Sequence, residues 1–80
     1  MQLGKTYKVK WLDHFSETGW KDKDELLDWV KNPSLCTTVG FLAYEDDRLV
    51  VIAGSHDGEE SYGDFMAIFK NCITNVDTIE

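Results

Sequence analysis

Through most of this chain apolar side chains recur at every second position, in short runs separated by polar or glycine-containing breaks. From Thr6 to Leu12, Tyr7, Val9 and Trp11 alternate with Lys8, Lys10 and Leu12. A strand places successive side chains on opposite faces, so this pattern predicts a half-buried strand. A second run spans Leu35 to Tyr44, with Thr37, Val39, Phe41 and Ala43 on one face and Cys36, Thr38, Leu42 and Tyr44 on the other. Gly40 interrupts it, and a glycine inside a strand marks a bend or a close backbone approach. Glu45-Asp46-Asp47-Arg48 forms a tight charged turn into the apolar run Leu49 to Ala53. Gly54 to Asp64 is expected as a long polar loop, followed by strands over Phe65 to Phe69 and Cys72 to Ile79 with Lys70-Asn71 as a short turn.

Only one stretch changes period. Asp22 to Asn32 places Leu26, Leu27, Trp29 and Val30 on a helical stripe, with Asp22 and Glu25 spaced as a capping box and Pro33 as a stop. About ten residues make a marginal helix in isolation, so the stripe is expected to dock on the sheet. His14 to Gly19, including Phe15 and Ser16, is the loop that leads to it.

Eighty residues bound the chain to one domain. Three Trp, three Tyr and four Phe point to a compact aromatic core, since each such ring carries a large apolar area. The expected fold is mainly β: a small five-stranded antiparallel, partly open barrel of SH3-like or Sm-like connectivity, with one short α-helix between the first two strands. No stretch has the roughly 20 apolar residues of a membrane span, and Met1 to Lys5 lacks the apolar core of a secretory signal. A soluble, cytoplasmic protein is expected. Cys36 and Cys72 are expected as buried reduced thiols, with a single disulfide left open.

The net charge of −7 is uneven. Lysines and acids balance up to Val39, while residues 40–80 hold Arg48 and Lys70 against nine acids. Such a half repels a phosphate backbone. Lys5, Lys8 and Lys10 form a narrow basic stripe, which has a plainer explanation as solvated lysines guarding an edge strand.

Several constellations carry the residue types of chemistry without its spacing. Ser55-His56-Asp57 are consecutive, whereas a triad is assembled by geometry across a fold. His14, Cys36, His56 and Cys72 show no paired zinc-ligand spacing, and Asp57, Glu59, Glu60 and Asp64 do not follow the calcium-loop pattern. No catalytic residue, metal or cofactor is therefore assigned. The binding candidates are His14, Trp20, Ser55, His56, Tyr62 and Lys70. Trp20 either caps the core beside the helix or forms one wall of a groove with Ser55, His56 and Tyr62 opposite.

Five blocks carry a resemblance across residues 6–79: Val9-Lys10-Trp11-x-Asp13, Gly19-Trp20, Cys36-Thr37-Thr38-Val39-Gly40, Gly63-Asp64 and Ile68-x-Lys70-x-Cys72-Ile73. Together they resemble a group of small uncharacterised proteins encoded by bacteriophages and prophages. Phe69 stands where that group is expected to carry proline. The resemblance implies a phage-borne origin, residence in the host cytoplasm and a small barrel, and it brings no activity or site residues.

The expected function is that of a non-enzymatic acidic binding protein, a phage accessory factor that contacts and modulates a host protein. A second class is an oligomeric barrel holding a small molecule or nucleotide between subunits, drawing on His14, Trp20, Ser55 and Lys70. A third is Sm-like RNA binding through the lysine stripe, disfavoured by the charge.

Overall fold

The computed structural model describes residues 1–13, 18–31 and 34–79. Five strands form one antiparallel sheet: β1 (Thr6–Asp13), β2 (Ser34–Glu45), β3 (Leu49–His56), β4 (Tyr62–Phe69) and β5 (Ile73–Ile79). One helix, α1 (Lys23–Val30), lies between β1 and β2, and a single 3₁₀ turn, Lys70–Cys72, joins β4 to β5. The spatial order is β4-β3-β2-β1-β5. The chain is thus mainly β, as expected. The sheet does not close on itself: β4 and β5 are its two ends.

Tyr7 and Val9 of β1 point into the core, together with Leu42, Val50, Ile52 and Ile68, and Trp11 and Ile73 pack against that cluster. The Trp11 indole N–H donates to the Thr38 hydroxyl at 2.9 Å, so the ring is half-buried at no cost of an unpaired donor. The core is mostly aliphatic. The expectation of an aromatic core fails, because Trp20, Tyr44, Phe65 and Phe69 are all exposed.

Tyr44 shows why. Simple alternation puts it on the face of Leu42, yet the β2–β3 register slips between Leu42 and Tyr44. The extra residue, Ala43, reverses the parity of everything after it. Tyr44 then faces outward, and its hydroxyl donates to the Asp46 carboxylate at 2.9 Å.

Gly40 lies opposite Tyr7 of β1. A Cβ there would stand 2.3 Å from the Ala53 carbonyl oxygen and 2.9 Å from Ile52 Cγ2. The residue is required for space, since its φ is not in the left-handed region. Only a hydrogen at this position lets β3 cross so closely over β2.

The turn after β2 forms as expected. The Asp46 carboxylate accepts from the Arg48 and Leu49 amides at 2.8 and 2.9 Å, and the Asp46 amide donates to the Leu49 carbonyl. Those two amides, with the Tyr44 hydroxyl, hold the Asp46 carboxyl below its ordinary value. A folded-state value below the unfolded one gives stability that is complete above the ordinary carboxylate range and is lost as pH falls through the folded value. Asp57, held down by the Glu59 and Ser61 amides, Asp22 by the Glu25 amide and Glu45 by Lys70 act with the same sign. Thermal melts should therefore shift down as pH is lowered from about 5 to 2. Asp46→Asn should lower the midpoint at pH 7 and flatten that pH dependence.

Three expectations are corrected by the sheet. The long polar loop shrinks to residues 57–61, because β3 runs on to His56 and β4 begins at Tyr62. The Asp57 carboxylate accepts from the Glu59 and Ser61 amides, closing a tight turn in which Gly58 takes φ of 89°. The lysine stripe is not on an edge, since β1 lies between β2 and β5, with Lys8 opposite Asp77 and Lys10 opposite Asn75. Cys36 and Cys72 are free thiols, half-buried and not in the core.

The helix departs most from expectation. Its start is capped as predicted, with the Asp22 carboxylate accepting from the Glu25 amide at 2.8 Å. The expected proline stop at Asn32-Pro33 lies outside the described residues. The apolar stripe is not sealed into the core: no residue of α1 is buried, and Trp29 is half-buried. The β1–β2 ladder stays in register as far as Asp13 opposite Ser34, so the connection leaves from the end of the sheet, beyond the core. The result is an elongated molecule of 53 × 22 × 21 Å with a radius of gyration of 15.9 Å, against about 12 Å for a compact chain of this length.

Candidate functional site

Of the six candidate residues, the structure brings three together. His56 and Tyr62 are cross-strand partners at the end of the β3–β4 hairpin, with rings stacked at 4.1 Å and 4°. Phe41 leans on His56 from β2 at 5.6 Å. His56 Nδ1 lies 3.1 Å from the Ser61 carbonyl oxygen, so in that bond the ring nitrogen is the donor. Asp57 Oδ1 stands 3.7 Å from the same nitrogen. Ser55 shares the shallow cleft with His56, Asp57, Ser61, Tyr62 and Gly63. As immediate neighbours on a strand, Ser55 and His56 direct their side chains to opposite faces. The hydroxyl is thus placed across Gly63 and not against the imidazole.

Lys70 sits elsewhere. Its Nζ is 2.8 Å from Glu45 Oε2, tying the 3₁₀ turn to the end of β2. His14 lies outside the described residues. Trp20 belongs to the β1–β2 connection and lines a concavity of about 260 Å³ with Gly19, Lys21, Leu26 and Trp29. The structure does not set it opposite Ser55, His56 and Tyr62, and it does not cap the core. Trp20 is 100% exposed.

That exposure identifies a surface the sequence pattern only half revealed. Leu26, Leu27 and Val30 are each 47% exposed, and their spacing puts them on one side of the helix. Trp20 adjoins this unburied helix where Leu26 and Trp29 line the same concavity, on an arm that projects from the end of the sheet. Asp22 caps the helix and Asp24 and Glu25 occupy its first turn, favourably placed against the helix dipole. Lys31 Nζ is 3.8 Å from Asp28 Oδ1 at the other end.

Among the described residues no three His, Cys, Asp or Glu side chains gather as metal ligands, and no helix is long and apolar enough to cross a membrane. No family model, no curated protein and no solved structure matches this chain. The geometry of its own surfaces is what bears on function.

Proposed function

We propose that this chain is a non-enzymatic protein-binding module whose projecting arm, Trp20 with Leu26, Leu27 and Val30 of α1, docks into an apolar cleft of another protein. The single observation that carries this reading is the complete exposure of Trp20 beside a helix with no buried residue. Tryptophan and leucine anchors contribute to affinity only when a partner removes them from water. A small soluble chain that leaves them in solvent carries an aggregation liability unless a partner covers them. The partner's cleft is rimmed by basic groups, to match the acidic first turn of α1 and the overall charge of −7.

The resemblance to phage-encoded proteins fits an accessory factor that modulates a host protein in the cytoplasm. The sheet then serves as the scaffold, and we infer that it curls into a partly open barrel. The strand order, the close crossing at Gly40 and the groove shared by Trp11 and Leu12 of β1 with Met66 and Phe69 of β4 support that curl.

The test compares the native chain with Trp20→Ala and Leu27→Ala as baits against host lysate at low salt. Each variant should melt within about 0.5 kcal/mol of the native chain, since neither residue is in the core. Each should bind the captured protein at least about tenfold more weakly, the cost of truncating an interface anchor by 1.4 kcal/mol or more. Recovery of the same proteins in equal amounts by native and variant baits would sink the proposal.

A further inference from the structure

We draw no further inference here: the strongest candidate, the open edge of β4 with Phe65 and Phe69 standing in solvent, carries none because nothing in the structure shows what covers it.

Discussion

Gly40→Ala is expected to destabilise the protein by about 3 kcal/mol and to lower its thermal midpoint by roughly 15 °C, at several degrees per kcal/mol for a domain of this size. The added methyl carbon would meet the backbone oxygen of Ala53 at 2.3 Å. A backbone carbonyl cannot swing aside as the end of a flexible side chain can, so β2 and β3 must part where Phe41 pairs with Ala53. Two fully buried side chains, Leu42 and Ile52, pair at the next position and would lose contact with it. Gly54→Ala is the control. Its nearest neighbour would be Asp64 Cβ at 3.5 Å, an ordinary contact, and the change should be tolerated within about 1 kcal/mol. Equal melting temperatures for the two variants would show that the close crossing at Gly40 is not a constraint.

Leu42→Ala is the second large effect. Leu42 is completely buried at the centre of the cluster, against Val9, Val50, Ile52 and Ile68. Its backbone also takes part in the first residues of the fold, with its carbonyl accepting from Gly4 and its amide donating to Lys5. Truncation removes three carbons and leaves a cavity that rigid strands on both sides cannot collapse to fill, for a cost of about 2–5 kcal/mol. A chain of 80 residues has a total stability of roughly 4–12 kcal/mol, so this loss takes a large share of it. Denaturant melts should show a lower midpoint with an unchanged slope. A midpoint matching that of Trp20→Ala would mean that the core is not where the buried residues place it.

The strands were legible because alternation reports burial directly. Tyr7, Val9 and Leu42 are inward as their positions require, and the Asp22 cap and the Asp46 turn follow from side chains that bond the backbone a few residues on. Alternation says which face a residue is on, and it does not say what lies beside the strand. Lys8 and Lys10 could therefore pass for edge guards until β1 proved to be flanked by β2 and β5. A bulge is equally silent, since nothing about Ala43 in isolation reports the slip that turns Tyr44 outward. For the site, Trp20 was visible as an aromatic beside a flexible glycine, but its exposure depends on how far the β1–β2 ladder extends. That length is set by pairing between distant segments. The joint exposure of Trp20, Leu26, Leu27 and Val30 was hidden for a related reason, because an amphipathic helix looks the same whether its partner is its own sheet or another molecule.

The strand order has a consequence for how the chain assembles. β2, β3 and β4 follow one another as a meander, each pairing with its predecessor through a short turn. The β1–β5 ladder is the exception, joining the first and last strands with Thr6 opposite Ile79. Closing that loop has the largest entropic cost of any ladder and should come late in folding. During synthesis β1 must wait, one side bare, until β5 has left the ribosome. The polar Thr74, Asn75, Asp77 and Thr78 of β5, and the lysines of β1 that await them, keep both halves of that final seam soluble while they are apart.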